Sequence, residues 1–122
     1  MEKRNEVLEL SFEFALAIIA FCEALEVDKK YVIAKQLLRS GTSIGANIHE
    51  AQNAESQVDF IHKLKIAAKE ADETEYWLQL CQKSEKYPTP DDLLVKIGSI
   101  QKLLNSIITT MKNRIKKPAS AN

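Results

Sequence analysis

Few residues in this chain could do chemistry, and their spacing limits what that chemistry is. There are two histidines, His49 and His62, and two cysteines, Cys22 and Cys81. The step Asp59-Phe60-Ile61-His62 puts an acid and an imidazole three residues apart, on one face of a helix. A di-iron bundle needs Glu-x-x-His on two helices and a Glu from each of the other two. Here the counterpart around His49 has Ala46 at the acid's place. Glu50, Glu70 and Glu73 would add carboxylates, yet half of the ligand set is missing, so these charges read as solvated helix faces. Two histidines also give no persuasive Ser/His/Asp or Cys/His arrangement for nucleophilic catalysis. The cysteines lack CxxC spacing and sit inside apolar-periodic stretches, which predicts small buried thiols in a reducing compartment. Gly41-x-x-x-Gly45 has no Lys-Ser or Lys-Thr after it and no strand before it, so it is not a phosphate loop. It reads instead as a small-residue patch for close helix packing. No catalytic residue, metal ligand or cofactor site is assigned.

Cations offer a second kind of chemistry. Lys112, Arg114, Lys116 and Lys117 fall within six residues near the C-terminus, a candidate phosphate-contacting patch. The bland reading is a solvated last helical turn. Residues 1–28 hold seven acids and two bases, whereas residues 93–122 hold six bases and no acid. Mutual attraction of the first and last elements, with cations at a helix C-terminus, accounts for that asymmetry at a few tenths of a kcal/mol per interaction. The chain as a whole has 17 basic and 17 acidic residues, which disfavours a globally basic nucleic-acid binder.

The elements that must position these residues are helices. Only 3 Gly and 3 Pro occur in 122 residues, too few turns for a many-stranded sandwich or barrel. Apolar residues at 45% and charged residues at 28% indicate one globular domain over 1–117, with a disordered tail at 118–122. Helices are expected at about 5–25, 30–52, 57–84 and 90–115. The first carries two adjacent apolar rows, Leu8-Phe12-Ala15-Ile19-Cys22 and Val7-Phe14-Ile18-Phe21-Leu25. Two rows exceed one core stripe, so this helix is either deeply buried or shared with another subunit. The second reads Ile33, Leu37, Ser40, Ile44, Ile48, Ala51, and its period passes unbroken through Ser40–Ala46. One continuous helix follows, the alternative being a kink or break near Gly41. The third reads Phe60, Leu64, Ala67, Ala71, Thr74, Leu78, Cys81, and the fourth Leu93, Ile97, Ile100, Leu104, Ile107, Met111, the four-three steps of a bundle seam. Ser56 with Asp59 starts the third helix; Thr89 as cap, Pro90 and two aspartates start the fourth. Short connections imply antiparallel neighbours and an all-α, up-down-up-down four-helix bundle.

The N-terminus alternates in charge and leads into no signal-like segment. Uncharged runs such as Phe14 to Cys22 reach no more than about ten residues, far short of the about 20 a membrane helix needs. A soluble, cytoplasmic protein is expected.

Asn47 lies between Ile44 and Ile48, with Arg39, Ser43 and Glu50 within one or two turns on the same helix. A buried amide there must find partners and can fix register in a bundle. Those same residues carry a resemblance. Arg39-x-x-x-Ser43-Ile44-x-x-Asn47-Ile48-x-Glu50-Ala51, then Ser56-x-x-Asp59-Phe60-x-x-x-Leu64-x-x-Ala67-x-x-x-Ala71 and Glu75, resembles the four-helix-bundle proteins encoded in intervening sequences of bacterial 23S ribosomal RNA genes. The accessory proteins of diversity-generating retroelements look related to these. The resemblance spans about Asn5 to Ile115 and implies an up-down-up-down bundle assembling into a homopentamer. It also implies a bacterial, non-enzymatic protein of poorly defined role, with nucleic acid and a reverse transcriptase as partners of the retroelement relatives. The expected function is therefore a non-catalytic assembly or adaptor module that engages RNA through the basic fourth helix. The alternative is a purely protein-binding scaffold.

Overall fold

Capping chemistry sets where the helices begin and end. The computed structural model describes residues 5–116 and contains α1 (Glu6–Val27), α2 (Tyr31–Ala51), α3 (Gln57–Lys83) and α4 (Asp91–Lys116). Lys117 and the expected tail 118–122 lie outside the described residues. Asn5 caps α1, its side chain accepting from the Leu8 N–H at 3.3 Å. Ser56 caps α3 by accepting from the Asp59 N–H at 3.0 Å, and the Asp59 carboxylate accepts from the Glu55 N–H at 3.2 Å. The α1–α2 turn is closed by Lys30 N–H to Leu25 carbonyl, 2.8 Å, and Lys29 N–H to Glu26 carbonyl, 2.9 Å, with Lys29 at a φ of 63°. That is a Schellman turn in which lysine occupies the left-handed position usually given to glycine. At α4 the expected cap shifts by one residue. The Pro90 carbonyl accepts from the Leu94 N–H at 2.9 Å, so Pro90 rather than Thr89 stands at the cap, where its missing N–H costs nothing.

Cross-helix contacts run in opposite directions along successive helices. Asn5 meets Gln52 and Cys22 meets Ala34; Glu50 meets Lys63 and Ser40 meets Thr74; Asp72 meets Gln101 and Gln82 meets Asp91. Each neighbour is thus antiparallel, and the order is up-down-up-down. Among the described residues, α1 and α3 each pack against α2 and α4 and not against each other. They occupy opposite corners of the bundle, and each presents an outward edge.

The core takes most of the Val7-Phe14-Ile18-Phe21-Leu25 row of α1, together with Cys22 of the other row and Ser11, which belongs to neither. Val7, Ser11, Phe14, Ile18, Cys22 and Leu25 are buried, while Phe12, Leu16 and Ile19 are exposed. Glycine makes room for this. α2 runs unbroken through Ser40–Ala46, and a Cβ on Gly41 would lie 2.9 Å from the Ile18 side chain. A Cβ on Gly45 would lie 3.3 Å from the Ser11 carbonyl oxygen. α2 therefore receives the Ile18 side chain at Gly41 and the Ser11 backbone at Gly45, where it has no side chain of its own. Thr42 and Ser43 remain helical by donating their hydroxyls to the Leu38 and Arg39 carbonyls, each at 2.6 Å. Ser40 and Thr74, both buried, share a 2.9 Å hydrogen bond between α2 and α3. Elsewhere the buried set departs from the expected stripes by single steps: Ala34 in place of Ile33, Ile61 in place of Phe60, and Ile108 in place of Ile107 and Met111. In each case the displaced residue is partly buried against the core.

Both thiols are free and buried. The Cys22 thiol donates to the Ala34 carbonyl at 3.3 Å. Burial, then the Glu26 carboxylate and Cys81, push its pKa from 9.0 up to about 11; burial alone takes Cys81 to about 11.

Two expected outcomes follow from this packing. Gly41→Ala lowers stability by roughly 1–2 kcal/mol, because overpacking against Ile18 outweighs the gain in helix propensity. Gly98→Ala, where an added Cβ meets nothing within 4 Å, raises stability by about 0.5–1 kcal/mol. Urea midpoints at equal slope check the pair. The thiols set a pH window. The unfolded chain loses their protons first, so their contribution is complete below pH 9 and is lost as pH rises to about 11. The slope is at most about 1.4 kcal/mol per pH unit for each thiol. Between about pH 8 and about pH 10.5 the parent should lose more stability than Cys22→Ala/Cys81→Ala, and equal losses contradict this.

Candidate functional site

The polar residues singled out on α2 line one edge of the helix, facing α3. Arg39 pairs with Glu70 at 3.3 Å and with Glu73, and the Trp77 indole N–H donates to Glu73 at 3.0 Å. Glu50 pairs with Lys63 at 3.1 Å. The Asn47 amide is half-buried and donates to the Ser43 carbonyl one turn back, at 2.9 Å. Its partner within the chain is therefore its own helix. The Arg39 and Glu50 pairs fix the α2–α3 register at the surface. Exposed pairs of this kind contribute about 0–1 kcal/mol each. Arg39 and Glu50 thus clamp the seam, whereas Ser43 and Asn47 bond only within α2.

The cations of α4 sit at one end of the bundle. Lys112, Arg114 and Lys116 are exposed, and Lys117 lies outside the described residues. Lys112 and Lys116 flank a shallow depression floored by Val58, Ile61 and Ile115. Among the described residues, no carboxylate lies within ion-pairing distance of these cations. Their charge complements the negative end of the helix dipole. The polar clamp and the cation cluster are therefore separate features, one along the side and one at the end.

A third surface is the outer row of α1. Phe12 is 66% exposed, Leu16 54% and Ile19 39%. Beside it, Leu8, Phe12, Ala15, Thr42, Gly45 and Ala46 floor an open groove of about 770 Å³ between α1 and α2. Glu9, Glu13, Glu50 and His49 rim it. Gly45, which has no side chain, leaves part of this groove unfilled.

The histidines lie on different helices. His49 borders this groove and His62 lies on the exposed side of α3. Among the described residues no group of three His, Cys, Asp or Glu side chains is placed to hold a metal ion, and no helix is long and apolar enough to cross a membrane. What the surfaces can do is bind: an apolar row with an acidic rim, and a cationic end. One further row escapes a reading of apolar periodicity. Lys65, Lys69, Tyr76 and Lys83 are all exposed on α3. Their spacing of four, seven and seven is helical, so a search for charge at the same period would find it.

A solved relative shares this architecture. It is the crystal structure of a protein with unknown function from the S23 ribosomal protein family of Bacteroides thetaiotaomicron VPI-5482. It is 48% identical, covers 84% of this chain and 97% of its own, and superposes with a TM-score of 0.80. No curated protein matches the chain. The 23S rRNA-intervening sequence protein family matches residues 3–106. With that span and that identity, the chain belongs to the family of 23S rRNA-intervening sequence proteins.

Proposed function

We propose that the protein is a non-catalytic, homo-oligomeric helical module that serves as an assembly or adaptor protein in the bacterial cytoplasm. The observation that carries this is the row Phe12, Leu16 and Ile19, which stands exposed on the side of α1 turned away from the core. Contiguous apolar surface of this kind marks an interaction site. Each of these side chains gains about 1.5–3 kcal/mol on full burial. The family resemblance favours five copies. Light scattering at micromolar concentration should return about five times the 13.8 kDa chain mass, and a mass of one chain overturns the reading. Leu16→Asp should shift the protein toward monomer with its helicity retained, since the side chain supports nothing inside the bundle.

A second reading is supported by the cations at the end of α4: the assembly engages RNA through Lys112, Arg114, Lys116 and Lys117. One chain offers four charges and weak, sequence-independent affinity. Several copies about one axis gain avidity where geometry lets them reach a single RNA. Alanine at all four positions, in a protein that still assembles, should weaken binding to structured RNA by roughly tenfold or more and flatten its salt dependence. Unchanged affinity moves the contact elsewhere. Absence of binding by the parent at low salt leaves the protein-binding scaffold as the function.

A further inference from the structure

We propose that the outer edge of α1 is the docking surface for the outer edge of α3 of a second copy of this chain, in a head-to-tail contact that closes into a ring. The inference rests on the assembly reading above and assigns the surfaces that meet. The α1 edge is apolar and acidic. Phe12, Leu16 and Ile19 are exposed there among Glu9, Glu13 and Glu23, and no base occurs from Glu6 to Val27. Two α1 edges brought together would oppose acids with acids, which disfavours a two-fold contact through this surface. The α3 edge is its complement. Lys65, Lys69 and Lys83 are exposed there with Tyr76 and Leu80, which are 55% and 38% exposed.

The heights agree as well as the charges. Ser11 lies against Gly45 and Ile18 against Gly41, while Ser40 bonds Thr74 and Glu50 pairs with Lys63. Followed across α2, these contacts put Glu9 and Glu13 level with Lys65 and Lys69. They put Ile19 level with Tyr76, and Glu26 level with Lys83. α1 and α3 run in the same direction at opposite corners, so copies standing side by side about a common axis bring these levels together without sliding. The lysine stems can lie over Phe12 while their ammonium groups reach the glutamates. The acids on the α3 edge do not oppose this. Asp72 accepts from Gln101, Glu73 is held by Arg39 and Trp77, and both stand level with Leu16 and Ala17, where α1 carries no acid. Because the two edges differ, the contact is heterologous and must close by rotation. Lys112, Arg114 and Lys116 play no part in it.

Charge reversal in the full chain tests this, with mass read by light scattering at low salt and folding read by helicity. Glu9→Lys/Glu13→Lys and Lys65→Glu/Lys69→Glu should each be folded and shifted to the mass of one chain. The chain carrying all four reversals should regain the parent mass. The inference is overturned if the parent assembles and either reversed pair leaves its mass unchanged, or if the fourfold variant is folded and remains monomeric. A monomeric parent overturns the assembly reading itself and this inference with it.

Discussion

The close approach of α2 to α1 at Gly41 is the contact from which the remaining arrangement follows. With Ile18 filling the space a side chain would take, α1 turns Val7, Phe14, Ile18 and Leu25 of one row inward, joined by Cys22 of the other. Ser11, small enough to face Gly45, completes that inner row. Phe12 and Ile19 of the other row, with Leu16, stand outside, beside the groove that Gly45 floors. A larger residue at 41 would clash with Ile18 and force α1 away. Close packing in the core and an exposed apolar surface thus meet on one helix.

Polar groups hold the remaining seams in register rather than supplying most of the stability. The Ser40–Thr74 bond is buried and spans α2 and α3, so sliding either helix would leave a hydroxyl without a partner. The surface clamp of Arg39, Glu70 and Glu73 repeats the same register in water, at a smaller energy. The amides of Gln101 and Gln82 do the equivalent between α3 and α4. α1 meets α2 through apolar packing, with the Cys22 thiol bonded to the Ala34 carbonyl and the Asn5 amide to Gln52.

Most of the fold is legible in the sequence because three of the helices carry one apolar stripe each and the last two open on strong start signals, whereas α2 begins after Lys30 without a side-chain cap. Ser56 with Asp59 shows how much a local signal can say, since its bonds are made within a few residues. Where legibility fails, the deciding partner is distant in sequence. The two rows of α1 have the same period, and nothing local says that the row through Phe14 and Ile18 is the inner one or that Ser11 joins it; Gly41 and Gly45 on another helix lie against Ile18 and Ser11. Lys29 adopts a left-handed conformation without glycine because the turn bonds from Lys30 and Lys29 close around it. For the candidate sites, the α4 cations are visible as composition alone. The carboxylate partners of Arg39 are visible only once antiparallel packing places Glu70 and Glu73 opposite it. The lysine row of α3 is periodic in the sequence, but its meaning depends on which corner of the bundle α3 occupies.

The up-down-up-down order puts Asn5 beside Gln52 and the last turn of α4 beside the start of α3. Both ends of the described chain therefore leave the bundle from the same side. Any assembly of copies standing in parallel inherits a polarity from this: one rim gathers every first and last turn, and the opposite rim shows only the tight turns around Lys29 and Tyr87. Labels placed at Glu6 and Lys116 would report on one rim, and labels at Lys29 and Tyr87 on the other.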